Sequence, residues 1–310
     1  MTNFILKIIN VFFYLLITTG LFIYFVFKFP SLQTDFSISK EHKYLFFGTS
    51  QIECSINDKL IKHSRNFGHS DEPYFYTFHK IKQILKSNNH IESIFIDYNN
   101  SVLGRESVKE QTSGIKNINH FLPTYSPFME LEDLIFLFNS NPINTFNAMI
   151  KSYRFNFKRI IKMDFLLNKI HGQFLSLNKN DLNIKKYDIQ AIKESQKQIS
   201  HLNISLLAKI IKLCKERNVD IYLIRVPIHG DLSVFNKEEK LYQIKNNNFK
   251  DVEFLDLFDF PIKDEEFADL VHLNSYGSTK FSLWVNSLIE DGILDKNNKI
   301  NVIKKSIENL

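Results

Sequence analysis

Twenty uncharged residues, 8–27 (IINVFFYLLITTGLFIYFVF), stand between Lys7 and Lys28. At about 1.5 Å of rise per residue, such a helix spans the roughly 30 Å hydrocarbon core of a bilayer. The run is longer than the apolar region of a cleaved signal, about 7–15 residues, and no small-x-small cleavage site follows it. It predicts one uncleaved membrane anchor over residues 1–30. After a polar linker (30–42) the pattern changes to short apolar runs alternating with helical periodicity. KYLFFG (43–48), RNFG (65–68), IESIFIDY (91–98), VDIYLIRVP (219–227) and VEFLDL (252–257) read as strands. Residues 73–86, 188–217 and 274–289 repeat apolar positions at three and four, as amphipathic helices do. Strands alternating with helices predict an α/β fold: a three-layer sandwich with a mostly parallel five-stranded sheet.

Residues 101–187 hold no strand signal and read as a helical insertion into a domain covering 31–310. Within it Phe146, Met149, Ile150, Tyr153, Phe157, Ile160 and Ile161 predict a helix that buries this apolar face. Lys151, Arg154, Lys158, Lys162 and Lys169 gather largely on the opposite side. That basic side is expected to be solvated, or to meet lipid headgroups or an anionic glycan.

Charge narrows the function classes. The chain has 39 basic and 34 acidic residues, a net +5. These charges are dispersed, with no Lys/Arg stripe interleaved with aromatics, so nucleic acid is not an expected partner. Lys7 on one flank of the anchor against Lys28, Lys40 and Lys43 on the other does not fix its orientation. Two cysteines, Cys54 and Cys214, make neither a disulfide framework nor a zinc site.

Candidate chemistry begins at YLFFGTSQIEC. Ligands of open parallel sheets sit beyond the carboxyl ends of strands, and Ser50 lies just past the first. A serine there is either the cap of the next helix or a nucleophile. Far downstream, FADLVHLNSYG places Asp269 and His272 three apart, just before the last predicted helix. A nucleophilic serine needs a base to take its proton and a carboxylate to hold that base's tautomer. Asp-x-x-His supplies both from one loop. Oxyanion donors are expected at the other strand ends: Gly68 in NFGHS, and Asn99 or Asn100 in DYNN. Cys54, one turn after Ser50, is a rival nucleophile expected to pack under its helix. Arg225, ending the fourth strand, is read either as an anion-binding group in the same cleft or as a structural ion pair. His229, close by, is read as incidental.

In this order these residues resemble the SGNH (GDSL-type) hydrolase superfamily. Gly48-Thr49-Ser50 is similar to its first block, with Thr where the family carries Asp. Gly68 matches the second block, Asn99 or Asn100 the third, and Asp269 with His272 the last. The resemblance covers roughly 43–100 and 219–290, and its Gly-Thr-Ser block is similar to that of membrane-anchored members such as the D-alanyl transfer protein of teichoic acid modification and the alginate O-acetylation proteins. It implies that Ser50 attacks an acyl ester, that His272 acts as base and then acid, and that Asp269 orients His272. The implied oxyanion donors are the Ser50 and Gly68 amides and an asparagine. No metal or organic cofactor is implied. It further implies an extracytoplasmic domain acting on a cell-envelope glycan, with a multispanning partner to hand over the acyl group. The alternative is a non-catalytic scaffold of the same fold that binds a glycan or an export-complex partner.

Overall fold

The computed structural model describes residues 2–104, 112, 114–165, 172–182, 199–233 and 238–310. In chain order the elements are α1 (Thr2–Gln33), β1 (Tyr44–Phe47), α2 (Ser50–Ser55), β2 (Ser64–Asn66), α3 (Tyr74–Ser87), β3 (Ser93–Asp97) and α4 (Asn100–Leu103). There follow α5 (Ile115–Tyr125), α6 (Leu131–Ser140), α7 (Pro142–Lys162), α8 (His201–Glu216), β4 (Asp220–Arg225), α9 (Glu238–Asn248), β5 (Glu253–Asp256), α10 (Ser275–Glu290) and α11 (Lys299–Glu308). Of the helix expected over 188–217, residues 188–198 lie outside the described residues, and so does Lys169. The chain divides into two compact units: Met1–Asp35 with Ser113–Ile170, and Phe36–Thr112 with His171–Leu310.

The second unit is the α/β unit. Its five strands are all parallel, in the order β2-β1-β3-β4-β5. Parallel strands buried on both faces need apolar residues at successive positions, and Leu45, Phe46 and Phe47 are all fully buried. On one face Phe46 stacks on Phe95 at 4.5 Å and Phe95 on Tyr222 at 5.2 Å, an aromatic ladder across β1, β3 and β4. Ile52 of α2, Phe281 and Trp284 of α10 and Ile303 of α11 close over it. On the other face α3 packs against α8, and α8 against β4. The carboxyl ends of the strands therefore converge on one edge, where the chain repeatedly turns into helices.

The first unit contains α1, the one described helix long and apolar enough to cross a membrane, over Phe4–Gln33 with a mean hydropathy of 2.0. It continues past Lys28 and Pro30, where Val26 is buried and Lys28 Nζ donates to the Met129 carbonyl at 2.8 Å. The helix expected from the 146–161 periodicity exists as α7, but the buried side differs from expectation. Thr145, Ala148, Ser152, Asn156 and Arg159 are buried, whereas of the expected apolar face Phe146, Ile150 and Ile161 are exposed and Met149, Tyr153, Phe157 and Ile160 are half-buried. Small side chains at 145, 148 and 152 let α5 approach closely. Their hydroxyls donate to backbone carbonyls: Thr145 to Asn141 at 2.7 Å and to Leu137 of α6 at 2.9 Å, and Ser152 to Ala148 at 2.7 Å. Asn156 reaches the Pro123 carbonyl, and Arg159 the Thr34 hydroxyl.

Candidate active site

The turn after β1 answers the question raised by GTS. Ser50 is the first residue of α2, and Thr49 precedes it as the cap residue without capping through its side chain. Instead the Thr49 hydroxyl donates to Asp97 Oδ2 at 2.8 Å, and the Thr49 N–H to the same oxygen at 3.3 Å. Gly48 is required by proximity: a Cβ there would stand 2.4 Å from Asp97 Cβ and 2.5 Å from Ile52 Cγ1. Ser50 Oγ is thus left for another partner, which is His272 Nε2 at 2.8 Å.

His272 is held by a compact loop. Its Nδ1 lies 2.8 Å from Asp269 Oδ1, which also accepts the backbone N–H of Val271 and of His272, each at 3.0 Å. A carboxylate only accepts, so the proton sits on Nδ1, and Nε2 presents a lone pair to the Ser50 hydroxyl. The rest of the motif builds the loop. Asn274 caps α10 by accepting from the N–H groups of Tyr276 and Gly277, and its own amide holds the Glu265 and Phe267 carbonyls. A Cβ at Gly277 would meet the Glu266 carbonyl oxygen at 2.2 Å, so only glycine lets the helix start here. Residue 229, a histidine read from sequence as incidental, follows β4 and donates its backbone N–H to the Leu270 carbonyl at 3.1 Å, bracing the same loop whatever its side chain.

One charged contributor carries no sequence signal. Residues 172–182, which have no regular secondary structure, run along the site. Gln173 N–H donates to the Gly68 carbonyl, Leu175 N–H to Glu53, and Asp181 N–H to Ala268; the Leu177 carbonyl accepts from Ser275 N–H. Gly172, at φ +60°, lies so close to the Phe67–Gly68 backbone that a Cβ would stand 2.2 Å from the Gly68 carbonyl oxygen. From this strap Lys179 Nζ reaches Asp269 Oδ2 at 3.0 Å. Burial pushes the Asp269 carboxyl up, but the His272 ring, the Val271 N–H and Lys179 outweigh it and hold it well below the usual carboxylate range.

The expected oxyanion donors fare differently. The Gly68 N–H is occupied by Asn66 Oδ1 at 2.7 Å, so it is not free to receive an oxyanion. The Asn99 amide gives its hydrogens to Asp97 Oδ1 at 2.7 Å and Gln51 Oε1 at 3.1 Å, while its oxygen caps α4. Asn99 and Asn100 both line a cavity of about 140 Å³ with Gln51 and Ser101. The rest of its lining is largely apolar: Val226, Ile228, Leu232, Phe258 and Val271. Arg225 also borders this cavity, but as an ion pair rather than an anion site. Its guanidinium makes two 2.7 Å bonds to Asp256 and one of 3.1 Å to Glu238, and lies 4.2 Å above the Phe258 ring centre. Cys54 is buried and free, and burial pushes its thiol up to about 12, so it is not a thiolate at neutral pH. Cys214 is likewise a buried free thiol. Among the described residues no group of three or more His, Cys, Asp or Glu gathers as metal ligands would.

Asp97, completely buried behind this turn, has a pKa raised to about 6 by that burial, against the pull of its bonds from Thr49 and Asn99. A folded pKa above the unfolded value, about 4, favours the protonated fold. The stabilisation it gives is complete below about pH 4 and is lost as pH rises through about 6. Asp97→Asn removes this titration. In denaturant unfolding, the stability of the variant relative to wild type should therefore rise from pH 4 to pH 7. A difference that stays flat across that window contradicts the assignment.

A protein-family model matches residues 177–294, which include Lys179, Asp269 and His272 but not Ser50. No curated protein matches the chain. Among solved structures, the chain is similar to one provisionally named a platelet activating factor from Streptococcus pneumonia, at 13% identity and a TM-score of 0.37, over 89% of this chain and 96% of that one. It is also similar to one provisionally named an acylhydrolase from Bacteroides fragilis NCTC 9343, at 9% identity and a TM-score of 0.35, over 85% and 95%. The site chemistry rests on this chain's own side chains.

Proposed function

We propose that this chain is a membrane-anchored serine esterase or acyltransferase of the SGNH type, acting outside the cytoplasm on acyl esters of a cell-envelope glycan. The observation that carries the reading is the 2.8 Å approach of Ser50 Oγ to His272 Nε2, with Asp269 on the other ring nitrogen. Ser50 Oγ attacks the acyl carbonyl while its proton passes to His272 Nε2. The tetrahedral oxyanion is received by the Ser50 N–H and the Asn100 amide. Among the described residues neither has a hydrogen-bond acceptor in the protein. His272 then protonates the leaving alkoxide, giving an acyl-Ser50 enzyme. Water at that stage makes the chain an esterase, and a sugar hydroxyl makes it a transferase. Anchoring by α1 would keep the site at the envelope surface, where a multispanning partner could supply the acyl group.

The test is labelling of the full chain in detergent with a fluorophosphonate probe, alongside p-nitrophenyl acetate turnover. Labelling is expected on the peptide containing Ser50 and is expected to vanish in Ser50→Ala. Persistent labelling in that variant removes Ser50 as nucleophile. The second reading, a non-catalytic scaffold, draws support from the occupied Gly68 and Asn99 donors, and absence of both labelling and turnover would favour it.

The small cavity beside Gln51 and Val271 sets a further expectation. A site of about 140 Å³ with one apolar wall and a neutralised arginine suits a short uncharged acyl group. Across p-nitrophenyl esters, kcat/KM should fall by roughly 10-fold or more between acetate and octanoate, since a misfitting methylene costs of the order of 1 kcal/mol. Leu232→Ala should narrow that gap. Equal rates along the series would rule out the cavity as the acyl site.

A further inference from the structure

We propose that the outward face of α7 is a lipid-contacting surface, seated on the headgroup layer of an anionic bilayer beside the α1 anchor. The inference rests on the reading of α1 as the anchor and is independent of the chemistry at Ser50.

The first support is that α7 is packed inside out for a helix facing water. A water-facing amphipathic helix buries its large apolar residues and exposes its polar ones. Here the buried stripe is Thr145, Ala148, Ser152, Asn156 and Arg159. Ile143, Phe146 and Ile161 are 73%, 59% and 66% exposed, and Ile150 is exposed as well. At 100° per residue these four apolar side chains fall on one face, opposite the buried stripe. Small and hydroxylated residues between helices with large apolar residues outside is the arrangement of helices solvated by lipid.

The second support is charge. Across Pro142–Lys162 there are five basic residues and no acidic one. Arg159 is buried on the Thr34 hydroxyl and Lys151 is held by the Asn119 carbonyl. Arg154, Lys158 and Lys162 remain exposed at i, i+4 and i+8, a stripe flanking the apolar face. A basic stripe beside exposed large apolar side chains is the signature of a helix lying in a membrane interface and drawn to anionic lipid. The same stripe disfavours a second copy as the occupant, because self-association through it would bring like charges together.

The third support is continuity with α1. Phe157 of α7 meets Phe22 at 6.2 Å, and Tyr153 meets Phe27 at 6.3 Å, both within the same compact unit. The apolar face of α7 therefore adjoins the helix whose apolar residues from Phe4 to Phe25 are exposed.

The experiment places the full chain in nanodiscs of phosphatidylglycerol and phosphatidylcholine. An environment-sensitive fluorophore is attached at Phe146→Cys or Ile161→Cys, and at Lys212→Cys as a control on the exposed face of α8. Quenching by lipids carrying a shallow doxyl group is expected at 146 and 161, with little quenching there by aqueous iodide. The control should show the reverse. Replacing phosphatidylglycerol with phosphatidylcholine, or introducing Arg154→Glu, Lys158→Glu and Lys162→Glu together, should shift both labels toward iodide. Labels at 146 and 161 that respond to iodide and ignore the doxyl lipid overturn the proposal. So does protection that depends on protein density within the discs, which would assign the face to another copy. A chain that fails to enter discs at all removes the α1 anchor reading, and this proposal with it.

Discussion

His272→Ala is expected to lower Ser50-dependent ester turnover by roughly 10³-fold or more, the scale of losing the base of a serine catalytic set. The imidazole is the only described group within hydrogen-bonding distance of Ser50 Oγ, and at 2.8 Å it is already placed to take the proton. Without it, a serine hydroxyl at neutral pH is a poor nucleophile. Asp269 keeps its backbone donors from Val271 and residue 272, and keeps Lys179, so the loop retains its other bonds. The His272 side chain is 22% exposed, and its removal also takes away the 2.8 Å bond to Asp269 Oδ1, so the unfolding midpoint should fall modestly while the fold is kept. On the proposed mechanism Ser50 and His272 act as a unit, so Ser50→Ala with His272→Ala should be no slower than either alone. Turnover in His272→Ala within tenfold of wild type would show that another group activates the serine.

Lys80→Met is expected to produce the largest loss of stability of any substitution outside the site. Lys80 and Glu72 form an ion pair at 2.9 Å with side chains 0% and 2% exposed. Lys80 Nζ also donates to the Phe67 carbonyl at 3.1 Å, and Thr77 donates to Glu72 at 3.0 Å. Removing one partner of a buried pair leaves an uncompensated charge and costs about 3–5 kcal/mol. The Phe67 carbonyl loses its donor as well. Denaturant unfolding of the full chain should register the loss as a lower midpoint. Lys80→Met combined with Glu72→Gln should recover much of it, since no charge is then stranded. A shift in the single variant worth less than about 1 kcal/mol would mean that solvent reaches the pair. Activity should fall too, because Phe67 and Gly68 form the ledge on which the 172–182 strap is seated.

Much of the α/β unit was legible in the sequence, for a physical reason. Strands buried on both faces must be apolar throughout, so 43–48, 91–98, 219–227 and 252–257 announce themselves, and each lies within three residues of β1, β3, β4 and β5. Ser50, Asp269 and His272 were findable because Asp-x-x-His needs only one loop, and the asparagine and glycine after it have local duties. What was not legible depends on long-range pairing. Whether the Gly68 N–H or the Asn99 amide is free is decided by Asn66 and Asp97, and neither advertises a partner. Lys179 sits in a segment with no periodicity, so nothing in the chain marks its approach to Asp269. The 146–161 pattern gave the helix α7 correctly, but the fully buried stripe is the small and polar one while the apolar face is half-buried to exposed, because periodicity reports that two faces differ and not which solvent each one meets.

The order of the strands has a consequence for how the molecule assembles. β3 and β4 are sheet neighbours, yet the chain between Asp97 and Asp220 includes α5, α6, α7 and α8. Loop-closure entropy rises only with the logarithm of length, about 0.6 kcal/mol per doubling, so this detour costs the finished fold little. It costs time instead, because distant pairings wait on a long search. β1, β2 and β3 can pair while that search continues, and Ser50 belongs to this early half. His272 belongs to the part added last. In pulsed hydrogen exchange during refolding, protection in β1 and β3 should precede protection in β4 and β5, so Ser50 is in place before His272 arrives to meet it.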